Sequence, residues 1–540
     1  MVNLKINNIP VQVKEGTTIL DAAKSVGINI PTLCYLKDIN EIGACRVCVV
    51  EVKGARSLVA SCVYPVNEGM EVFTNTEKVR KSRKTTIELL MSDHKKECLS
   101  CVRSTNCELQ TLSNEYGCDA AAFQGERNLS DPDESTSYLV RDNEKCILCR
   151  RCVATCKSVQ QVAVIAPSRR GFKTHIGCAF ESDLADVPCV ACGQCIAVCP
   201  TGALHEREEI DNVREAIADP EKVVIVAPAP AVRAAIGEEF GNPVGTNTEG
   251  KMFTALRMLG FDKVFDVNFA ADLTIMEEAN ELVERVKEGG KLPMFTSCSP
   301  GWIRYVEYYY PELIPNLSSC KSPMQMFGAT VKTYYAQKEG IDPKNIYVVG
   351  VMPCTAKKFE RTRDDQSASG YPDIDAVLTT RELAKMIRTA GILYNELPDG
   401  TFDNPLGEFT GAGVIFGATG GVMEAALRTA AETITGKSLD AVDYKAVRGM
   451  QGIKEAEYDL NGLKVKVAVA SGLTIAKALC EKIRKGECDY TFVEVMCCPG
   501  GCINGGGQPI QSAYTRRTVD IKGKRAKALY DEDKKSDIRK

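Results

Sequence analysis

Hydrophobic and polar positions follow two different patterns along the 540-residue chain. At the N-terminus, VNLKINN and VQVKEG alternate on either side of Ile9-Pro10, which predicts a β-hairpin. Thr17 or Thr18 can then cap a helix over ILDAAKSVG, and Gly27 marks the end of that helix. A hairpin followed by a helix predicts a small β-grasp domain over residues 1–78.

From about residue 210 the pattern changes to short apolar runs separated by amphipathic stretches. VVIVAP, IYVVGVMP and KVAVASG are typical of buried strands, whereas TEGKMFTALRMLG and TTRELAKMIRTAG are typical of helices. This alternation predicts an α/β domain over residues 210–540, with largely parallel sheets covered by helices. Such sheets bind ligands at the carboxyl ends of their strands. The whole chain is therefore predicted to be a multidomain α+β protein.

Length, charge and hydropathy narrow the class of protein. At roughly 100–200 residues per domain, 540 residues imply several domains. The net charge of −4 gives no footprint for nucleic acid, although local basic patches could dock an acidic electron-carrier protein. The opening MVNLKINNIP lacks a signal-peptide pattern, and no apolar run reaches the ~18 residues of a membrane span. We expect a cytoplasmic protein that binds neither nucleic acid nor membrane.

The 25 cysteines are the main chemical signal. A cytoplasmic chain is held reduced and these cysteines fall in C-x2-C groups, so metal binding is expected rather than disulfides. Zinc is the alternative for one isolated pair, but five clustered groups favour iron–sulfur clusters. Residues 126–209 carry the ferredoxin spacing C-x2-C-x2-C-x3-C twice, and in two-cluster ferredoxins the fourth cysteine crosses over. One [4Fe–4S] cluster is therefore predicted on Cys146, Cys149, Cys152 and Cys199, and another on Cys189, Cys192, Cys195 and Cys156.

Two further cysteine groups precede the ferredoxin spacing. The first matches the plant-type ferredoxin spacing only in part, and structural or zinc-binding cysteines are the alternative. It resembles the N-terminal [2Fe–2S] domain of hydrogenases and of the large iron–sulfur subunit of respiratory complex I. In residues 79–125, the pattern H-x3-C-x2-C-x5-C resembles a [4Fe–4S] module of the same families, although a lone histidine is more often a packed or surface residue. The resemblances imply a [2Fe–2S] cluster on Cys34, Cys45, Cys48 and Cys62, and a [4Fe–4S] cluster on His94, Cys98, Cys101 and Cys107.

Three segments of the C-terminal domain each bring an apolar run to a cysteine. They are LPMFTSCSPGW, NIYVVGVMPCTAKKFE and TFVEVMCCPGGCINGGGQP, in that order over about two hundred residues. Together they resemble the signature loops of [FeFe]-hydrogenases, and with the cysteine groups in front they resemble the clostridial type with four accessory clusters. That family carries an H-cluster, a [4Fe–4S] cubane joined through one cysteine to a diiron subsite with CO, cyanide and a bridging azadithiolate.

The resemblance assigns roles at the H-cluster. Cys354, Cys498 and Cys502 are implied to ligate the cubane, and Cys502 is implied to bridge to the diiron subsite. Lys357 is implied to donate to a cyanide, where a compact cation suits an anionic ligand. The implied walls of the diiron site are Met352, Met496 and Phe416, together with Ala231 and Met324 where members of the family tend to have a polar serine and glutamine.

The first loop departs from the family pattern TSCCPxW. By that alignment the usual cubane ligand is replaced by Ser299, next to Cys298 at the proton exit. Three explanations compete: Ser299 binds iron through oxygen, Cys298 turns to take the ligand role, or Cys497 compensates at a position where the family usually has alanine. An alkoxide suits iron–sulfur clusters less well than a thiolate, which favours a sulfur donor from Cys298 or Cys497.

A proton route is also implied. Members of the family move protons through a cysteine, two glutamates, a serine and a surface arginine, which correspond to Cys298, Glu278, Glu281, Ser318 and Arg285. Within MEEANELVER, the i,i+3 and i,i+4 spacing places the two glutamates and the arginine on one helix face. From spacing alone, a solvated face with an ion pair is the better interpretation, and the resemblance reverses that preference.

The expected function is a reversible [FeFe]-hydrogenase that makes H2 from protons and electrons. Ferredoxin or flavodoxin is the expected electron carrier, and hydrogenase maturation proteins are expected to build the diiron subsite. One alternative is the catalytic subunit of an electron-bifurcating NADH/ferredoxin hydrogenase, which Ala231, Met324 and TSCSPGW suggest. Because the sequence ends in KKSDIRK about thirty residues after the last loop, a monomeric enzyme is preferred. A non-catalytic iron–sulfur sensor or assembly protein is the other alternative.

Overall fold

The computed structural model describes residues 1–404, 406–435, 452–460 and 463–536. The last four residues of the charged segment KKSDIRK lie outside the described residues. Among the helices of the described ranges, none combines the length and the apolar character needed to cross a membrane.

The N-terminal domain is a five-stranded sheet with one helix, in the strand order β2-β1-β5-β3-β4. Its hairpin turns at Asn7 and Asn8, which both have positive φ, and not at Ile9-Pro10, which begins the second strand. Asparagine tolerates the left-handed conformation that a two-residue hairpin turn requires, which explains the position of the turn. Thr18 caps the helix, accepting the Asp21 N–H at 3.2 Å. The elements are β1 (Val2–Ile6), β2 (Ile9–Val13), α1 (Ile19–Ser25), β3 (Val49–Val52), β4 (Val59–Ala60) and β5 (Glu71–Phe73).

Helix α2 (Glu77–Ser92) joins three cysteine-rich segments. Its buried residues Ile87 and Met91 pack in one cluster with Cys34, with α3 (Glu108–Glu115) and with Cys149. Its opposite face is basic and exposed, as in Lys81. Helix α2 therefore holds together the three cysteine-rich modules, residues 1–78, 79–125 and 126–209, which we call the front modules. Its other face presents positive charge to solvent.

The ferredoxin-like segment, residues 126–209, consists of short strands and helices that are connected by the cysteine-containing loops. Two antiparallel strand pairs and two short helices frame it, and a π-helical turn over residues 155–159 follows the first helix. The elements are β6 (Val140–Arg141), α4 (Arg151–Ala154), β7 (Ala166–Ser168), β8 (His175–Gly177), α5 (Gln194–Val198) and β9 (Leu204–His205).

Two four-stranded sheets form the C-terminal domain. The first, in the order β11-β10-β13-β14, is parallel throughout, and the second, in the order β12-β17-β16-β15, is parallel except for β15. This agrees with the largely parallel sheets expected from the apolar runs. The strands are β10 (Val223–Pro228), β11 (Lys263–Val264), β12 (Met294–Phe295), β13 (Ile346–Met352), β14 (Ala376–Thr379), β15 (Ile453–Leu460), β16 (Leu463–Ser471) and β17 (Phe492–Met496).

Helices cover both sheets and bury an extensive apolar core. On the second sheet, successive residues of β16 and β17 point to opposite faces, so two separate clusters form. The helices are α6 (Ile210–Ala218), α7 (Pro230–Arg233), α8 (Glu249–Met258), α9 (Val267–Glu288), α10 (Pro300–Tyr309), α11 (Pro323–Thr330), α12 (Ala336–Glu339), α13 (Ala356–Glu360), α14 (Thr380–Thr389), α15 (Gly411–Ile415), α16 (Gly421–Thr435), α17 (Leu473–Arg484), α18 (Ala513–Thr518) and α19 (Ile521–Asp533).

Helix α18 returns to the front of the molecule. Its Arg516 pairs at 2.5 Å with Glu108 of α3, and Glu108 also pairs at 2.9 Å with Arg151 of the ferredoxin-like segment. The guanidinium of the neighbouring Arg517 donates a hydrogen bond to Asn29 Oδ1, and the Arg517 carbonyl accepts a hydrogen bond from the Lys24 ammonium. The C-terminal region therefore clamps three front modules at once.

Candidate active site

The three signature loops converge on one cavity where β10, β13 and β17 end. Parallel strands bring their carboxyl ends to the same edge, which is why residues more than two hundred positions apart meet there. All the residues predicted for the H-cluster line this cavity, namely Ala231, Cys298, Ser299, Met324, Met352, Cys354, Lys357, Phe416, Met496, Cys498 and Cys502.

Three of the cysteines that line this cavity, Cys354, Cys498 and Cys502, are the predicted cubane ligands. Burial and the neighbouring thiols raise the pKa of Cys354, and burial with the nearby Cys498 raises the pKa of Cys502 to about 11. Lys357 opposes both increases. Soft sulfur donors around an apolar space suit an iron–sulfur group better than a hard cation.

Glycines let the backbone close tightly around the cavity. A Cβ on Gly505 would lie 2.0 Å from the Pro353 carbonyl oxygen. Gly501 has φ +92°, and a Cβ there would lie 2.7 Å from the Thr419 nitrogen. These approaches explain the GGCINGGG sequence, because another side chain would force the loops apart. The donor set and this glycine cradle fit a bulky metal–sulfur cofactor.

Lys357 is held by a buried polar cluster. Its ammonium donates to Ser322 Oγ at 2.7 Å, to Glu360 Oε2 at 2.8 Å and to the Cys298 carbonyl at 3.3 Å. Glu360 lies one helical turn further along α13, so the ion pair is local to that helix. The partners fix the cation at the cavity wall. Glu360 belongs to the second signature segment, whereas no sequence pattern indicates Ser322.

Apolar side chains form the rest of the wall. Met352 and Met496 are each 3% exposed and Phe416 is 6% exposed. A Cβ at Gly350 would lie 3.1 Å from Met324 Sδ and 3.2 Å from Met352 Cε, so this strand glycine leaves space for two methionines. The wall therefore excludes water from the donor set.

In the first signature loop, Ser299 and Cys298 have different surroundings. The Ser299 hydroxyl accepts the Cys497 N–H at 3.2 Å. Cys298 packs against the cluster that contains Phe416 and Met496. Burial and the nearby Glu278 raise the pKa of Cys298, so its thiol is neutral in the absence of metal.

The predicted proton-route residues lie along α9 and the loop after α10. Glu281 Oε2 accepts the Ser318 hydroxyl at 3.0 Å, and Glu281 Oε1 pairs with Arg285 Nη2 at 2.5 Å. Deeper in the protein, Glu278 is 1% exposed, and neither of its carboxylate oxygens has a hydrogen-bond partner among the described residues. Burial raises the pKa of Glu278 to about 8. Two groups at Glu281 were missed from the sequence, the Ser319 hydroxyl at 3.1 Å and the Cys320 thiol at 3.8 Å.

The structure also gathers the accessory cysteines. Two cavities of the ferredoxin-like segment each contain cysteines from both repeats. This crossed arrangement is the one that the two-cluster spacing predicts, and its ligand assignment stays a prediction. One cavity is lined by Cys146, Cys149, Cys152 and Cys199, and the other by Cys156, Cys189, Cys192 and Cys195.

In the first domain the four cysteines meet as two pairs. The sulfurs of Cys48 and Cys62 are 3.3 Å apart, and a thiol hydrogen bond from Cys34 lowers the pKa of Cys45. In the next module, Cys101 and Cys107 approach the ferredoxin-like segment, Cys101 at Gly202 and Cys107 at Pro200. Cys98 precedes Cys101 in the same turn.

His94 is buried in the second module. Burial lowers the pKa of its imidazole to about 4, so the ring is neutral at physiological pH. A neutral imidazole is the form that binds a metal. His94 therefore suits a ligand role.

The ferredoxin-like segment packs directly on the glycine loop of the candidate site. A Cβ on Gly506 would lie 2.6 Å from Gly193 Cα, and a Cβ on Gly193 would lie 2.3 Å from Thr355 Oγ1. Cys192 lines both the second accessory cavity and the large cavity. Only two glycines in register allow this contact, which brings two predicted cluster sites together.

Four family profiles match the chain. "Iron only hydrogenase large subunit, C-terminal domain" matches residues 222–506, and "4Fe-4S dicluster domain" matches residues 145–203. "2Fe-2S iron-sulfur cluster binding domain" matches residues 1–77, and "NADH-ubiquinone oxidoreductase-G iron-sulfur binding region" matches residues 83–121.

Individual relatives extend over the whole chain. The NADP-reducing hydrogenase subunit HndD of Solidesulfovibrio fructosivorans is 49% identical, over 100% of this chain and 93% of the relative. Iron hydrogenase 1 of Clostridium pasteurianum is 47% identical, over 100% of this chain and 94% of the relative. Among solved structures, an apo [FeFe]-hydrogenase from Chlamydomonas reinhardtii is 44% identical with a TM-score of 0.54, over 60% of this chain and 89% of that one.

Proposed function

This chain belongs to the iron-only, or [FeFe], hydrogenase family, and on that premise we propose how its residues interconvert protons and H2. It is an oxidoreductase of the clostridial type, with accessory iron–sulfur domains in front of the hydrogenase domain. The observation that carries the proposal is the meeting of Cys354, Cys498, Cys502 and Lys357 in one apolar cavity. Its H-cluster supplies the redox-active iron at which protons and electrons combine.

The protein residues hold and shield the H-cluster. Cys354, Cys498 and Cys502 would hold the cubane when the H-cluster is bound, and Cys502 would also connect it to the diiron subsite. Lys357 places a point charge against an anionic ligand, and Ser322 and Glu360 hold its side chain in position. Apolar packing by Met352 and Met496 keeps water away, which strengthens the effect of that charge.

Protons are proposed to move between the cavity and the surface along one line of groups. Cys298 lies at the cavity end, Glu278 follows, and Ser318, Glu281 and Arg285 complete the line. A carboxyl group with a pKa of about 8 both accepts and releases a proton near neutral pH, which suits Glu278 for relay. The Ser319 N–H and the Arg285 guanidinium lower the pKa of Glu281 against the effect of burial, which keeps this outer carboxylate ionised at the exit.

Electrons are proposed to travel through four accessory clusters. We assign a [2Fe–2S] domain to residues 1–78, a one-histidine [4Fe–4S] module to 79–125, a two-cluster domain to 126–209 and the H-cluster domain to 210–540. The contact of Gly193 with Gly506 is the proposed entry to the H-cluster.

A ferredoxin or flavodoxin is the proposed electron carrier. The exposed face of α2 carries Lys78, Arg80 and Lys81, and none of the three forms an ion pair with another described residue. This face complements an acidic carrier and backs directly onto the front modules. The proposed location is the cytoplasm, where 25 cysteines are kept reduced and maturation proteins are available to build the diiron subsite.

Infrared spectroscopy of the anaerobically matured protein tests the proposed function. We expect CO and cyanide stretching bands that shift between argon and H2. Protein from a host that lacks the maturation proteins is the control and should lack the bands while keeping its accessory iron. Absent bands in matured protein with full accessory iron would overturn the proposal and support a non-catalytic sensor or assembly role.

A second candidate function follows from one comparison. The NADP-reducing hydrogenase subunit is 49% identical over 100% of this chain, so a role as one subunit of a nucleotide-linked complex has direct support. Affinity purification from the native host distinguishes the two functions. A flavin- or nucleotide-binding protein in stoichiometric amount indicates the complex, and activity with ferredoxin by the purified chain alone indicates the monomeric enzyme.

A further inference from the structure

Cys497 lies between the two predicted cluster sites. It follows the last residue of β17, is 4% exposed and lines the large cavity beside Cys498. A Cβ on Gly301 of α10 would lie 2.7 Å from the Cys497 sulfur. A larger residue at this position would therefore clash with the sulfur. The Gln160 amide donates toward the same sulfur at 3.7 Å. The surrounding residues therefore hold the Cys497 thiol at the wall of the cavity.

The two faces of the second sheet separate Cys497 from Cys298. Met496 belongs to the cluster that contains Phe416 and contacts Cys298, on the side of the proton route. Cys497 belongs to the opposite cluster, with Trp302 and the ferredoxin-like Cys192. Consecutive residues at a strand end point to opposite faces, which explains this division. Cys298 therefore faces the proton route, whereas Cys497 faces the electron route.

Ser299 makes a hydrogen bond with the protein backbone. Its hydroxyl accepts the backbone N–H of Cys497 at 3.2 Å and so fixes the turn from which the Cys497 side chain projects. An oxygen donor is also harder than sulfur and less suited to an iron–sulfur cubane. Ser299 thus acts as a support for Cys497.

We propose that Cys497 is the fourth cubane ligand, completing the set of Cys354, Cys498 and Cys502. This rests on the proposed function, because the cubane is part of the H-cluster. On binding, the thiol releases its proton and the thiolate forms one iron–sulfur bond. The ligand has moved from the first signature loop to the third, and the new position still borders Cys192 of the neighbouring cluster site.

Iron content and infrared spectra of matured, full-length variants test this inference. Cys497→Ala is expected to lose about four iron atoms per chain, the content of one [4Fe–4S] cluster, and all CO and cyanide bands. Cys480→Ala is the matched control, because it removes a different buried cysteine of the same apolar cluster. It is expected to keep its iron and its bands. Ser299→Ala is expected to keep its iron.

A double variant separates ligand loss from misfolding. Ser299→Cys combined with Cys497→Ala restores the family pattern TSCCP and is expected to recover the four irons and the bands. The inference is overturned if Cys497→Ala retains full iron, or if Ser299→Ala or Cys298→Ala instead loses about four irons. Wild-type protein with full iron but no infrared bands contradicts the proposed function, whereas the iron loss in Cys497→Ala still tests the ligand.

Discussion

Replacing Glu278 by glutamine should lower activity and raise stability at alkaline pH. The glutamine keeps the shape of the side chain but neither binds nor releases a proton. A positioned proton-transfer group contributes about 10²–10⁴-fold to rate, so turnover with an artificial dye should fall by about 10²-fold or more. The exposed neighbour Glu277 lies on the same helix, and Glu277→Gln should leave turnover unchanged.

The stability change follows from the raised pKa. Burial raises the pKa of the Glu278 carboxyl from 4.5 to about 8, so the folded protein holds this proton more tightly than the unfolded chain. The stabilisation is complete below pH 4.5 and is lost as the pH rises to about 8. At about 1.4 kcal/mol per pH unit the whole loss is about 5 kcal/mol, and about 3 kcal/mol of it falls between pH 6 and pH 9. Glu278→Gln removes that loss.

Anaerobic thermal unfolding at several pH values measures the difference. Trp302 is the one tryptophan of the sequence and is fully buried in the hydrogenase domain, so its fluorescence reports the unfolding of that domain. From pH 6 to pH 9 the unfolding temperature of Glu278→Gln should gain roughly 4 °C on the wild type, because the unfolding entropy of a domain of about 330 residues is about 0.7 kcal/mol per kelvin. A difference that does not depend on pH would refute the raised pKa. Turnover within about twofold of the wild type would refute the relay.

Two further predictions concern the front modules. His94→Ala should lose about four iron atoms per chain, whereas His175→Ala should lose none; unchanged iron in His94→Ala would exclude the imidazole as a ligand. Lys78→Glu with Lys81→Glu should raise the KM for reduced ferredoxin by about 5- to 10-fold at low salt, without changing turnover with a small dye. The control is Lys477→Glu, which reverses an exposed charge on α17. If the α2 double variant has the same KM for ferredoxin as the wild type, the carrier does not dock on α2.

Local sequence signals predicted the strands and helices that position the site. Apolar runs located β10, β13 and β16, because buried parallel strands are continuously hydrophobic. The alternating pattern places the hairpin turn at Ile9-Pro10, which is wrong, because the Asn7-Asn8 pair supplies the left-handed conformation that the turn requires. A local pattern thus identified each element more reliably than its boundary.

Contacts between segments that are far apart in the sequence cannot be predicted from local sequence patterns. The hydroxyls of Ser319 and Ser322 reach the site only through tertiary packing. The seating of Gly506 against Gly193 joins two loops 313 positions apart, and no periodicity encodes that pairing. The signature loops could be recognised because their cysteines carry a spacing of their own.

The clamp made by α18 has a consequence for the order in which the protein is assembled. Arg516 and its partner Glu108 are 408 residues apart in the chain. A ribosome adds about 5–20 residues per second, so the front modules leave it roughly 20–80 s before the helix that fastens them. During that interval the front modules are not held by this clamp, so iron and sulfide can reach their cysteines before α18 fastens the modules together.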